Sequence, residues 1–352
     1  MPDWRRVGLS FAAATAGTVT GLVGERLLMR RRHDRDRYGP PLGGVAGDVT
    51  TVVGPDDVRL HVETHGPAEA AGPLERHEGP AAEVVLVHAF AQTGRAWHEQ
   101  VVGLRDRHRL VTYDQPGHGR SSAPSSGEYS LDLLADALAA VVEQSTDAGR
   151  GRLVLVGHSL GGMTALAFAR RHRGLFAQRV GTLLLLSTTA RTGAPNVALG
   201  LGLRMLVPLQ AAAGYALAER GQRLAAVYRG PSDLSFALTR GIGLVRRADP
   251  RYVELAERLV LETDLATIAK LLPVIFQMNE DDTLTDIGVP SVIVVGSEDR
   301  LTPVRDARRM ARLNPHVRLV EIPGVGHMTP LEAHGAVNRL IRELAGGAYH
   351  QG

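Results

Sequence analysis

The sequence contains no cysteine and carries little net charge, and each absence excludes classes of function. Without cysteine, the 352-residue chain has no disulfide, no thiolate metal site and no cysteine nucleophile. Its formal net charge of +3 is too small to indicate a nucleic-acid-binding protein. No phosphate-binding loop, nucleotide fingerprint or metal-ligand cluster occurs, so the sequence predicts neither a cofactor nor a metal. The hydrophobic fraction of 44% is that of a globular protein with a substantial core.

Charge is also absent from one stretch near the N-terminus. Val7–Gly24 carries no charged side chain, and arginines flank it at positions 5–6 and 30–32. The run is just long enough to span a bilayer, which needs about 20 apolar residues. Because the heavier basic flank follows the run, the positive-inside rule places the rest of the chain in the cytoplasm. The sequence therefore predicts a membrane-associated protein whose folded domain is cytoplasmic.

Two other interpretations of this segment stay open. Arg5 and Arg6 before an apolar run are similar to a twin-arginine export signal, although the arginines after the run argue against cleavage there. The segment is alternatively a disordered or peripheral tail. The stretch Tyr38–Gly47 is dense in proline and glycine and predicts a linker, so residues 1–47 form an N-terminal region outside the folded domain.

The most informative stretch lies in the middle of the chain. Leu153–Val156 predicts a buried parallel strand, and Thr164–Arg171 predicts a helix. Between them the chain reads GHSLG (residues 157–161), the pattern G-x-S-x-G. A sharp turn there lifts the hydroxyl of Ser159 clear of the sheet and aims the first helical N–H groups at whatever binds. The alternative interpretation is a glycine-rich turn with a capping serine.

Two later loops follow predicted strands and supply a carboxylate and an imidazole. Val292–Val295 predicts a strand, and the sequence GSEDRLTP after it contains Asp299. Val317–Ile322 predicts the last strand, and PGVGHMTPLE after it contains His327. Parallel strands of a sheet place their sites at one edge, so Ser159, Asp299 and His327 are expected to lie near one another.

In these motifs and in their order the chain resembles the α/β-hydrolase superfamily, over roughly residues 49–346. GHSLG looks like the nucleophile elbow of that family, GSEDRLTP is similar to its G-x-x-D-x-x-x-P acid loop, and GHMTPLE is similar to its G-H-x-x-x-x-E histidine loop. The resemblance implies a catalytic triad of Ser159, Asp299 and His327. They occur in the family's chain order of serine, acid and histidine.

The same resemblance implies an oxyanion hole formed by the backbone N–H groups of Phe90 and Leu160. Phe90 follows the predicted strand Val84–Val87 in the sequence HAFAQ. The family usually has glycine after that histidine, and this chain has Ala89, whose side chain restricts φ.

Several other residues in these motifs compete for catalytic roles. Glu298 neighbours Asp299, but the spacing from Gly296 favours Asp299 as the acid. Some family members place the acid after the strand Gly181–Leu186, where this chain reads STT without a carboxylate. Three histidines inside the motifs are interpreted as packing residues rather than bases: His88, His118 and His158.

The predicted fold class is α/β, with a mostly parallel central sheet flanked by helices and an inserted all-helical cap. Residues 48–190 form the first part of the hydrolase core and residues 287–352 the second. Residues 191–286 contain helical runs and no convincing strand, so they are predicted to form the cap.

Serine at the elbow selects among the chemistries of the family. Members that open epoxides or displace halide use aspartate there, so the resemblance favours hydrolysis of a carboxylic ester, thioester or lipid ester through an acyl-enzyme on Ser159. The expected partner is a small-molecule ester with an apolar acyl group. The alternatives are other serine chemistry, as in C–C hydrolases or perhydrolases, and a non-catalytic binding or scaffold protein.

Overall fold

One eight-stranded sheet runs through the residues that this computed structural model describes, namely 42–66, 82–192, 245 and 248–346. Its strands are β1 (Asp48–Val53), β2 (Arg59–His65), β3 (Glu83–Val87), β4 (Arg109–Tyr113), β5 (Leu153–His158), β6 (Val180–Leu186), β7 (Ser291–Gly296) and β8 (Val317–Ile322). They lie in the order β1-β2-β4-β3-β5-β6-β7-β8. β2 is antiparallel to β1 and β4, and all other neighbours are parallel. The prediction of a mostly parallel sheet is confirmed.

Helices pack on both faces of the sheet. The α-helices of the described residues are α1 (His98–Leu104), α2 (Leu131–Ser145), α3 (Leu160–Arg171), α4 (Arg173–Arg179), α5 (Pro250–Leu261), α6 (Leu265–Gln277), α7 (Asp281–Asp286), α8 (Val304–Leu313), α9 (Thr329–Glu332) and α10 (His334–Ala345). Local sequence explains the start of α2: the side chain of Ser130 accepts the N–H of Leu133 at 3.0 Å and caps the helix.

The central strands β3, β5 and β7 are buried along their whole length because both faces of the sheet are covered there. In β3, Val85 and Val87 join the apolar cluster under α2 and α3, whereas Val84 and Leu86 join the cluster under α1 and α10. Strands buried on two sides read as continuous apolar runs rather than alternating ones. Ser159, Asp299 and His327 follow the carboxyl ends of β5, β7 and β8.

Residues 42–47, which precede β1, pack between α5 and the turn before α1. Arg258 donates to Leu42 O and the Nε–H of Arg95 donates to Gly43 O, each at 2.7 Å. The N–H of Gly43 donates to His98 Nδ1 at 3.1 Å. Gly43 has a φ of 73°, which favours glycine. These residues of the predicted linker therefore contact the folded domain.

Several predictions fall outside the described residues. They include the whole apolar run Val7–Gly24 and residues 193–244 of the predicted cap. No helix in the described ranges is long and apolar enough to cross a membrane. The described part of residues 191–286 contains α5, α6 and α7, and the cap as a unit stays a prediction.

Candidate active site

Ser159 lies at the sharp turn between β5 and α3. Its dihedrals, φ 51° and ψ −114°, are strained for a residue with a side chain. Its N–H donates to Leu186 O at 2.9 Å, and the hydroxyl of Thr188 donates to Ser159 O at 2.7 Å. A Cβ at Gly157 or Gly161 would collide with backbone atoms, so the turn requires glycine at both positions. These contacts hold the strained turn in place.

Asp299 and His327 come together at the ends of β7 and β8. His327 Nδ1 lies 3.0 Å from Asp299 Oδ2 and 3.2 Å from Oδ1. A carboxylate accepts this bond, so a neutral imidazole donating from Nδ1 keeps Nε2 free as a base. The N–H groups of Leu301 and Thr302 donate to Asp299 Oδ1 at 2.9 Å, and the Thr302 hydroxyl donates to Oδ2 at 2.8 Å.

The buried Asp299 is held in its charged form. Burial by itself would raise the pKa of Asp299, but the His327 ring and the donors of Thr302 outweigh it and leave that pKa below its ordinary value. The side chain of the neighbouring Glu298 is exposed instead. Ser187, at the alternative acid position after β6, is buried and its hydroxyl lies 3.3 Å from that of Thr329. The structure thus brings Asp299 to the imidazole.

His327 lies beside the turn that carries Ser159. The rings of His327 and His158, the residue before Ser159, are 5.2 Å apart, and His158 Nε2–H donates to His327 O at 2.8 Å. Burial lowers the pKa of His158 to about 3, so its ring is a neutral donor. In the described part of the chain no hydrogen bond joins Ser159 Oγ to His327. Such bonds are often long without substrate and tighten when it binds.

The two predicted oxyanion residues lie on adjacent segments. Leu160 is the first residue of α3, where a backbone N–H has no partner one turn earlier. Phe90 lies in the loop after β3, and that loop is close to α3 because Gly161 packs against the carbonyls of Val87 and His88. Within the described residues, neither the Phe90 nor the Leu160 N–H donates to another protein group.

The loop that carries Phe90 is strained one residue later, at Ala91. Ala91 has a φ of 53°, whereas Ala89, the residue that replaces the family's glycine, does not have positive φ. The Ala91 N–H donates to His118 Nε2 at 3.2 Å, and His118 Nδ1 lies 3.1 Å from Pro116 O. Burial lowers the pKa of His118 to about 3, so its ring can accept this bond.

His88 links the same loop to the segment after β4. His88 Nε2 accepts the N–H of Gln115 at 2.9 Å, and Nδ1–H donates to Ala89 O at 2.7 Å. The Gln115 amide donates back to His88 O and accepts the Thr164 hydroxyl, each at 2.8 Å. Burial lowers the pKa of His88 to about 4. These contacts agree with the interpretation of the three motif histidines as packing residues.

An apolar cluster borders the site on the α3 side. Leu160 and Met163 of α3 pack with Leu271 of α6 and with Met278, and Phe90 lies partly buried against them. No group of three or more histidine, aspartate or glutamate side chains in the described residues could hold a metal ion. The arrangement presents a hydroxyl, an imidazole and a carboxylate beside an apolar wall.

Sequence reasoning missed the residues that support this arrangement. Thr302 holds the acid through two contacts, and Gln115 joins two loops of the site. Glu332 accepts backbone N–H groups of the histidine loop. The available signals were the position of Thr302, three residues after Asp299, and that of Glu332 as the last residue of its motif.

Comparison with known proteins places this chain in a family. The family described as "alpha/beta hydrolase fold" matches residues 83–333. Pimeloyl-(acyl-carrier protein) methyl ester esterase of Aeromonas hydrophila is 27% identical over 258 residues, covering 73% of this chain and 92% of that protein. A thermophilic esterase from Thermogutta terrifontis has 25% identity and a TM-score of 0.63, over 84% of this chain and 97% of its own.

A further solved structure shares the fold. The enol-lactonase from Burkholderia xenovorans LB400 has 23% identity and a TM-score of 0.63, over 84% of this chain and 99% of its own. The family match spans more than half of the chain, and it includes the three loops that carry Ser159, Asp299 and His327. The chain belongs to the α/β-hydrolase fold family, and it is a hydrolase.

Proposed function

We propose that this chain hydrolyses carboxylic esters of small molecules, with Ser159 as nucleophile, His327 as general base and Asp299 as the orienting acid. The observation that carries the proposal is the Asp299–His327 pair at 3.0 Å, which lies beside the strained turn of Ser159. A serine hydroxyl is a weak nucleophile at neutral pH and needs an adjacent base, and imidazole fits that task.

The first half of the reaction forms an acyl-enzyme. Ser159 Oγ attacks the ester carbonyl carbon while its proton passes to His327 Nε2, and negative charge develops on the carbonyl oxygen. The N–H groups of Phe90 and Leu160 stabilise that charge, with help from the positive end of α3. When the carbon–oxygen bond to the alcohol breaks, the imidazolium returns its proton to the leaving oxygen.

The second half releases the acid. Water attacks the acyl carbon and gives its proton to His327 Nε2, and the imidazolium then protonates Ser159 Oγ as the acyl group leaves as a carboxylic acid. Through both halves the negative Asp299 holds the imidazole with Nδ1–H toward itself and stabilises the imidazolium.

The surroundings favour an apolar acyl group. Phe90, Met163 and Leu271 form part of an apolar cluster next to Leu160, directly after the nucleophile. An acyl chain that covers this wall would remove apolar surface from water, which contributes about 25 cal/mol per Å². The similar proteins support an ester bond as the one that is cleaved, since they include a methyl ester esterase, an esterase and an enol-lactonase.

A chain-length series of p-nitrophenyl esters tests the proposal. Ser159→Ala should lose about 10⁴-fold or more of kcat on every ester that the wild type cleaves, because the acyl-enzyme cannot form. Ser126→Ala, in an exposed turn that bonds to Asp56, should match the wild type and serves as the control. Thermal unfolding of each variant checks that the fold is kept.

A serine-reactive fluorophosphonate gives an independent readout. It should label the wild type and Ser126→Ala at one site and leave Ser159→Ala unlabelled. Turnover retained by purified Ser159→Ala would contradict the nucleophile assignment. A wild type that neither turns over any ester nor labels would point to the non-catalytic alternative.

A further inference from the structure

Glu332 is the last residue of the motif that contains His327, and the proposed reaction gives it no role. It ends the short helix α9, which begins two residues after His327. Its side chain is half-buried and turns back toward the histidine loop.

The Glu332 carboxylate accepts backbone N–H groups from two separate segments. Oε1 accepts the N–H of Met328, the residue directly after His327, at 3.1 Å, and Oε2 accepts the N–H of Val245 at 3.0 Å. The N–H of Glu332 donates to Met328 O at 2.8 Å, so a second hydrogen bond joins the two residues in the opposite direction. The other neighbour of His327 is equally close, since a Cβ on Gly326 would lie 2.9 Å from Oε1.

Val245 gives this contact a second anchor. It follows residues 193–244 of the predicted cap, and it is buried in an apolar cluster with Met328, Leu331 and Val253. The carboxylate therefore joins the histidine loop to Val245, which packs in the same apolar cluster as α5. Motion of Met328 relative to Val245 would cost at least one charge-assisted hydrogen bond.

A carboxylate suits this position better than an amide of the same shape. Both oxygens of Glu332 face N–H donors, and an ionised carboxylate can accept at each of them. Glutamine has one acceptor oxygen and would turn its NH₂ group toward one of the two N–H donors. The titratable groups that face His327 are Asp299, on its ring, and Glu332; the neutral His158 bonds to the His327 carbonyl. Burial raises the pKa of Glu332, and the backbone N–H groups that it accepts oppose that rise.

We propose that Glu332 is a positioning residue for His327, holding the backbone directly after it at Met328 so that Nε2 stays aimed at Ser159. The inference rests on the proposed function. Asp299 fixes the ring through Nδ1 and His158 fixes the His327 carbonyl, and Glu332 supplies the fixed point just after the residue. Displacements near 1 Å can cost about 10²-fold in rate.

Steady-state kinetics on the preferred p-nitrophenyl ester test the inference, with fluorophosphonate titration to count intact sites. Per titrated site, Glu332→Gln should lower kcat by about tenfold or more while KM changes little, because binding contacts are kept and alignment is lost. Glu332→Ala should lower kcat further. The control is Glu343→Gln on α10, an exposed carboxylate paired with Arg318 at 3.4 Å, which should match the wild type.

The pH profile separates positioning from simple loss of folded protein. Removing the negative charge of Glu332 disfavours the protonated imidazole, so the acid limb of kcat/KM should move to lower pH in Glu332→Gln. A variant with wild-type kcat and an unmoved acid limb overturns the inference, and so does a loss that lies entirely in the number of titrated sites. A wild type without turnover overturns the proposed function as well.

Discussion

At the scale of single residues, the acid of the site is a choice between two neighbouring carboxylates. Asp299→Asn should lower kcat by about 10⁴-fold, because an amide NH₂ facing Nδ1 favours the wrong tautomer of His327. Glu298→Gln should change kcat by less than about threefold, since the Glu298 side chain is exposed. The measurement is kcat for both variants at neutral pH, with thermal unfolding to confirm that each is folded. The opposite ranking would mean that Glu298 is the acid.

The residues that we propose as catalytic could be singled out from sequence because each lies in a local motif after a strand. Their supports could not be predicted in this way, because they act across the chain. His158 bonds to His327 O, and Glu332 bonds to Val245, through contacts that join distant stretches. Ala91 shows the same limit: it has a positive φ, and its N–H donates to His118, which is distant in sequence.

At the scale of elements, the loops around the site are joined by neutral, buried histidines. His88 and His118 have pKa values lowered by burial to about 4 and about 3, and His158 to about 3. In the unfolded chain each titrates near 6.5. Between about pH 4 and pH 6.5 the unfolded state therefore binds protons that the folded state does not, and the free energy of unfolding falls as pH falls through that window.

We expect this pH dependence to be steep. Each of the three rings contributes up to about 1.4 kcal/mol per pH unit within the window and nothing further above it. His118→Gln should be less stable than the wild type at pH 7 but lose less stability between pH 7 and pH 5. Urea unfolding at both pH values measures the difference.

A matched control for this prediction lies in the same network. Thr164→Val removes a buried hydroxyl that bonds to Gln115 but no titrating group, so it should lower stability about equally at both pH values. If His118→Gln and Thr164→Val show the same pH dependence, the buried histidines are not its source.

The bounds of the strands could be predicted closely, whereas helix α3 begins earlier than expected. Strands buried on two faces are uninterrupted apolar runs, which makes their ends visible in sequence. The helix was predicted from Thr164, but it starts at Leu160 and includes Gly161 and Gly162. Glycine opposes helix by about 1 kcal/mol, and close packing against Val87 O and Thr188 requires it here.

At the scale of the whole molecule, membrane attachment through Val7–Gly24 stays a prediction. The full chain should pellet with membranes and resist a high-salt wash, because the uncharged run is long enough to span a bilayer. A chain that starts at Leu42 should be soluble and keep its esterase activity. It starts there because Leu42 and Gly43 accept hydrogen bonds from Arg258 and Arg95.

Two outcomes would contradict a membrane span. Release by salt alone would mean that the arginines at positions 30–32 bind anionic headgroups at the surface, at about 1 kcal/mol each. Recovery of a processed N-terminus with the domain exported would favour the twin-arginine interpretation.

The contact between the residues after β6 and those before α7 has a consequence for insertions and deletions in this chain. Arg191 and Asn279 pair in an isolated β-bridge, and the N–H of Glu280 donates to Ala190 O at 2.6 Å. The residues just after β6 and just before α7 therefore lie side by side, although α5 and α6, which come between them in sequence, also contact the core. The entropic cost of closing the chain between these two positions rises slowly with its length, by about 0.6 kcal/mol for each doubling. Residues between these two positions can therefore change in number at a small entropic cost to folding of the sheet.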